Sequence, residues 1–140
     1  MSERLVVHVD GGARGNPGPA AIAAVLSDPH GQVVSDHAET IGHATNNVAE
    51  YRALLLGIER ARELGADELE LVGDSELIAR QVRGEYKVKD PALRELHARV
   101  GAALAGFDRW TIRNVPRAEN EHADRLVNEA LDAEFEEKEA

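Results

Sequence analysis

Three short β-type runs follow one another at the start of the chain, and from residue 45 onward helical and strand patterns alternate. That order constrains the fold more than any other feature. Leu5, Val7 and Val9 alternate with Val6 and His8 in a run that ends on Asp10, after which Gly11 and Gly12 are expected to turn the chain away. A period of two marks a half-buried strand. Ala20 to Leu26 and Gln32 to Ile41 read as two more strands around the turn Asp28-Pro29-His30-Gly31. Residues 4–10, 20–27 and 32–42 are therefore expected to form an antiparallel meander.

The second part changes period. Leu54, Leu55, Ile58, Ala61 and Leu64 recur at helical spacing, and Gly65 ends the run. Thr45, Asn46 and Asn47 supply capping side chains ahead of it, and Glu50 stands three residues past Asn47 in capping-box spacing. Glu68 to Gly73 is a strand, and a helix from Ser75 carries Leu77, Ile78, Gln81 and Val82. Another helix runs through Leu93, Leu96, Val100 and Leu104. Phe107 to Val115 is a last strand that Pro116 stops, and a final helix starts around Glu119-Asn120. Strands alternating with helices pair in parallel through crossovers, so the class is α/β with antiparallel and parallel parts. Crossovers of one hand bring the carboxyl ends of parallel strands to one edge, where open sheets bind ligands.

Four acids stand at telling places. Asp10 and Asp74 each follow an apolar strand, Glu50 shares a helical stripe with Leu54, Gly57 and Ala61, and Asp124 follows Ala123 on the last helix. Each has a plain structural explanation taken singly, since Asp starts turns and Asp or Glu caps helices. The loop Ala13 to Pro19 is dense in turn formers but lacks the Gly-Lys-Ser/Thr ending of a phosphate-binding loop, which disfavours a nucleotide phosphohydrolase.

Composition bounds the rest. With 43% hydrophobic residues the chain can bury a core, and with no cysteine it has neither disulfides nor thiolate chemistry, which fits a reducing cytoplasm. No apolar run reaches the roughly 20 residues of a membrane span. The net charge of −10 argues at first against a nucleic-acid partner. The distribution softens this, because residues 132–140 hold five acids and one lysine. Residues 1–131 are expected to form one domain, and 132–140 an acidic, mobile tail.

Together, Val9-Asp10-Gly11-Gly12, Gly15-Asn16-Pro17-Gly18, Thr45-Asn46-Asn47-Val48-Ala49-Glu50, Asp74-Ser75 and Glu119-Asn120-Glu121-His122-Ala123-Asp124 resemble type 1 ribonuclease H, in order, over residues 5–131. The resemblance implies a five-stranded mixed sheet flanked by helices, and cleavage of the RNA strand of an RNA–DNA hybrid to 5′-phosphate and 3′-hydroxyl ends. It implies a monomer using Mg²⁺, two ions per site, with Mn²⁺ as substitute. Carboxylates suit such hard ions where His or Cys would not. Asp10 would serve both ions, Glu50 and Asp74 completing one site and Asp124 the other. Gly11, Gly12, Asn16, Thr45, Asn46 and Asn47 would contact the hybrid.

Two departures from the family pattern stand out. Many relatives have a mobile histidine before the last aspartate; the loop here is short, and Arg117 is the nearest basic candidate for that role, ahead of His122 on the helix. Many relatives also carry a basic protrusion near residues 84–92, where this chain has only Lys87 and Lys89, with Arg80 and Arg83 nearby. A weaker, more salt-sensitive grip follows as an expectation, and double-stranded RNA stays open as a second partner. The alternatives are another metal-dependent nuclease of the same fold, or a catalytically weak module that binds hybrid or double-stranded RNA.

Overall fold

The computed structural model describes residues 3–139, with the backbone alone for 136–139. Its elements are β1 (Arg4–Ala13), β2 (Gly18–Ser27), β3 (Val33–Ala44), α1 (Asn46–Glu63), β4 (Glu68–Gly73), α2 (Glu76–Val82), α3 (Pro91–Leu104), β5 (Arg109–Asn114), a 3-10 turn (Arg117–Asn120) and α4 (Glu121–Glu139). One five-stranded sheet runs in the order β3-β2-β1-β4-β5. The first three strands pair antiparallel, and β1–β4 and β4–β5 pair parallel, as the change of period demands.

Both faces of the sheet are covered. Along β2, Ala20, Ile22, Ala24 and Leu26 enter the main core with α1, whereas Ala21, Ala23 and Val25 pack on Ala123, Val127 and Leu131 of α4. On β1, Leu5, Val7 and Val9 face the main core. Alternation therefore puts Val6, His8 and Asp10 on the α4 side. The sequence period thus decides which helix each β1 side chain meets.

The end of β1 differs from expectation. The strand does not turn away at Asp10 but continues through Gly11 and Gly12 to Ala13, paired with Ile22, Ala21 and Ala20. What ends is its contact with β4, whose last pair is His8 with Val72. Gly11 is needed for close approach: a Cβ there would collide with the Ala49 carbonyl and lie 2.8 Å from Glu50 N.

The caps also differ. Thr45, not Asn47, caps α1, its hydroxyl accepting from Val48 N at 3.2 Å. Asn46 is used elsewhere: Oδ1 accepts from Ala13 N at 2.9 Å, and its backbone N–H donates to Asn16 Oδ1 at 3.1 Å. These two bonds stitch the loop after β1 to the start of α1. Ser75 caps α2 by accepting from Ile78 N, which leaves the Asp74 carboxylate free of that task. Leu64, counted as core from its spacing, is the C-cap of α1 and is exposed. At the other end of the chain, α4 does not break at residue 131. It continues to Glu139, with Asp132 paired to Arg14 at 2.7 Å and the Arg14 guanidinium 5.5 Å from the Phe135 ring centre.

Candidate active site

Four elements deliver the acids to one place. Asp10 lies on β1 just past its last pair with β4, where the two strands part. Glu50 comes from the start of α1, held close by the Gly11 contact. Asp74 sits between β4 and α2, and Asp124 in the first turn of α4. Carboxylate oxygens of Asp10, Glu50 and Asp74 lie within 4.8 Å of one another. Asp124 joins through a hydrogen bond with Asp10. The four line an open cleft of about 500 Å³, shared with Gly11, Gly12, Asn46 and Arg117.

Such crowding is costly. Burial, then the charges of Asp74 and Asp124, lift the Asp10 carboxyl from 3.8 to about 7. Burial, then Asp74 and Asp10, lift Glu50 from 4.5 to about 8, although the Ser75 hydroxyl pulls it back by donating to the carboxylate. Ser75 thus gives its proton to Glu50 and its lone pair to the α2 backbone. Asp74 Oδ2 is buried with no hydrogen bond. Arg117 Nε stands 3.6 Å from it, an ion contact too long for a hydrogen bond. A buried acceptor without a donor, among carboxylates that repel, fits a hard divalent cation. The donors are all oxygens, which suits the same class of ion.

Beneath the cluster the Tyr51 hydroxyl donates to Gln81 Oε1 at 2.6 Å, and both side chains are buried. This bond fastens α1 to α2 and so helps hold the Glu50 backbone against the Asp74 turn. Burial pushes the phenol up to about 12, so it remains a donor at any working pH.

The other expected residues divide. Thr45, Asn16 and Asn46 form the stitched loop beside the carboxylates, and Asn47 is exposed next to it. Arg117 reaches the cleft, with its side chain 77% exposed. His122 does not line that cleft; its Nε2 pairs with Asp36 Oδ2 of β3 at 3.0 Å. Arg80, Lys87 and Lys89 lie away from the carboxylates, on α2 and the exposed connector. Arg80 is paired with Glu76 at 2.9 Å and lies 5.3 Å from the Tyr86 ring centre. Arg83 is occupied structurally, donating to Glu85 at 2.6 Å and to the Ile112 carbonyl at 2.9 Å.

Sequence reasoning missed Asn128, which lines the cleft beside Arg14, and the structural use of Asn120. Nor did it foresee the Asp132 partner of Arg14. Nothing in local spacing ties it to a helix more than a hundred residues later.

Comparison with known proteins agrees with this geometry. A family model described as reverse transcriptase-like matches residues 8–130. The chain is 50% identical over 129 residues to ribonuclease HI of Halobacterium salinarum, covering 92% of this chain but only 65% of that protein's length. It matches the N-terminal RNase H domain of Rv2228c from Mycobacterium tuberculosis with a TM-score of 0.93 at 43% identity, covering 98% of this chain and 99% of that one. It matches LC11-RNase H1, solved in complex with an RNA/DNA hybrid, with a TM-score of 0.89 at 42% identity, covering 94% and 99%. With the four acids gathered on a sheet of this topology, the chain belongs to the type 1 ribonuclease H family.

Proposed function

We propose that the protein is an endoribonuclease that hydrolyses the RNA strand of RNA–DNA hybrids, leaving 5′-phosphate and 3′-hydroxyl ends, with Mg²⁺ as cofactor and Mn²⁺ as substitute. One observation carries the reading: Asp10, Glu50 and Asp74 converge within 4.8 Å. The hybrid bound by the related LC11-RNase H1 supports the choice of substrate.

In this reading Asp10 would help hold two ions, one together with Glu50 and Asp74 and the other together with Asp124. Divalent ions supply positive charge against the attacked phosphate and acidify water. The chain does the rest. Burial and mutual repulsion hold the Asp10 and Glu50 carboxyls well above the usual carboxylate range, and bound cations would favour their ionised forms. Arg117 balances Asp74 and, being exposed, can turn to a substrate phosphate oxygen. Gly11 and Gly12 bring bare backbone to the RNA strand, and Asn16 and Asn46 keep that backbone rigid. Thr45, Asn46 and Asn47 meet the hybrid at the head of α1, while Arg80, Lys87 and Lys89 face the DNA strand. RNA is distinguished through its 2′-hydroxyl, with little base readout. The protein works as a monomer in the cytoplasm, with residues 1–131 as catalytic domain and 132–140 as an acidic extension. Among the described residues no helix is long and apolar enough to cross a membrane.

The test is a panel of labelled hybrid, double-stranded RNA and double-stranded DNA, with and without Mg²⁺. Internal cuts confined to the RNA strand of the hybrid and dependent on Mg²⁺ are expected. Binding without cleavage would make the protein a hybrid-binding module, and cuts in DNA would assign it to another branch of the fold.

A further inference from the structure

Asn120 is the most buried polar residue among those described, at 2% exposure. It closes the 3-10 turn ahead of α4 and stands one helical turn before Asp124. Its Nδ2 donates to the Val9 carbonyl at 2.8 Å, the peptide that leads into Asp10. That carbonyl lies beyond the last residue of β1 that pairs with β4. A side chain from the far end of the sequence therefore takes up a central-strand carbonyl where the two parallel strands part.

The other end of the carboxamide is unusual. Asn120 Oδ1 is buried with no hydrogen-bond partner. Behind it lies a pocket of about 140 Å³ lined by His8, Ser27, His122 and Asn120 itself, with room for water. On the outer flank His122 ties the start of α4 to Asp36 of β3. The two anchors act on different partners. Asn120 joins the backbone that leads into Asp10 to the turn ahead of Asp124.

We infer that Asn120 is a positioning residue that sets the gap between Asp10 and Asp124, and through it the affinity of the cluster for a divalent cation. The physical need is plain. Asp10 and Asp124 repel each other when both are ionised, and Asp124 sits in the first turn of α4. Packing of Ala123 and Val127 on β2 holds the body of α4, and the buried donor to Val9 fixes its first turn against the strand that bears Asp10. Asparagine is suited to the task because it donates and carries no charge. Aspartate of the same shape accepts only, and alanine leaves the carbonyl unpaired.

The inference rests on the nuclease reading only for its activity arm, so the primary readout is metal binding without nucleic acid. Mn²⁺ binding to the whole protein is measured by calorimetry for wild type, Asn120→Ala, Asn120→Asp and His122→Ala, with melting curves beside each. Both Asn120 variants should bind Mn²⁺ roughly 10-fold more weakly or worse, the usual effect of removing a group that orients a metal ligand, with KM for hybrid at saturating Mg²⁺ within about twofold. His122→Ala should bind as wild type does. Asn120 variants that melt lower yet bind Mn²⁺ normally would reduce the residue to a structural role and overturn the inference. A wild type that binds Mn²⁺ but cuts no hybrid would sink the nuclease reading and leave this one standing, whereas one that binds no Mn²⁺ sinks both. If neither Asn120 variant folds, the wild-type side-chain amide decides by NMR. Slow exchange with solvent and a shift on adding Mg²⁺ support the inference; fast exchange or no shift overturns it.

Discussion

Replacing Asp10 by Asn should make the metal-free protein more stable while abolishing cleavage. Burial and the facing Asp74 and Asp124 raise the Asp10 carboxyl from 3.8 to about 7. About three units correspond to about 4 kcal/mol of differential interaction. Part of that cost passes to its neighbours, which relax when one charge leaves, so about 2–4 kcal/mol is the expected gain for the variant at alkaline pH. For a domain of this size that is a rise in Tm of roughly 5–10 °C.

The sign has a pH window. A carboxyl whose folded-state value is raised contributes its full stability below its unfolded value of 3.8 and loses it as pH rises to about 7. Asparagine does not titrate, so the gap between variant and wild type should be small near pH 4, widen to about pH 7 and stay flat above. Glu50 titrates in both proteins, up to about 8 in the wild type, and this slope should be shallower in the variant because Asp10 is one of its causes. Calorimetric melts in chelator across this range are the assay, repeated with Mg²⁺, which should stabilise the wild type more than the variant. A variant no more stable than wild type near pH 8.5, or a gap that does not shrink toward pH 4, would refute the electrostatic account. Substantial turnover by the variant would refute the role of Asp10 itself.

Arg117→Ala should lower the steady-state rate, because Arg117 alone of the two basic candidates reaches the cleft; His122→Ala should change it little, and the opposite ranking in initial-rate assays would reverse the assignment. Replacing Lys87 and Lys89 together by Ala should flatten the slope of log affinity against log salt by about one to two units, since each phosphate contact adds about 0.7–0.9. No ion pair involves either lysine among the described residues, so both are available to phosphate, and identical slopes in a KM salt series would exclude them from the grip. Asp132→Ala should release Arg14 into the cleft and lower KM for hybrid by up to roughly fivefold at low salt, the scale of an exposed ion pair. Arg14→Ala should raise KM, and a shared direction of the two effects would show that the pair acts only on stability.

The four acids stood out in the sequence through their shared order and setting in the motifs that resemble type 1 ribonuclease H, since each taken singly fits a turn or a helix cap. The division of the sheet into antiparallel and parallel parts followed from the change of period at residue 45, whereas the order of its strands came from the structure. The caps were less legible, since Thr45, Asn46 and Asn47 all qualify by type. Thr45 takes the cap because Asn46 is drawn to Ala13 and Asn16 across a gap that no local rule spans. The glycines after Asp10 were read as a turn for the same reason. Their need comes from Ala49 and Glu50 of α1, a tertiary contact. The bonds of Asn120 to Val9 and of Arg14 to Asp132 were illegible because each joins residues more than a hundred positions apart.

Why β1 carries the shared acid follows from mechanics. A carboxylate under repulsion moves away if its backbone can yield, and the cluster would then disperse before any cation bound. β1 yields least: it pairs with β2 over its full reach from Val6 to Ala13 and with β4 up to His8. Val7 and Val9 are locked into the main core, where Gly57 lets α1 come so near that a Cβ there would lie 2.7 Å from Val7 Cγ1. Asp10 is thus fixed on a rigid strand at the one point where β4 has let go and room opens for an ion. The three partner acids sit at the starts of helices or just before one, and each is held by a contact of its own: Gly11 against the start of α1, the Tyr51–Gln81 bond between α1 and α2, and Asn120 ahead of α4. These contacts keep the four carboxylates together against their own repulsion. Arg117, Lys87 and Lys89, proposed to meet a mobile phosphate backbone, are exposed and would work by reach, so they need no such support.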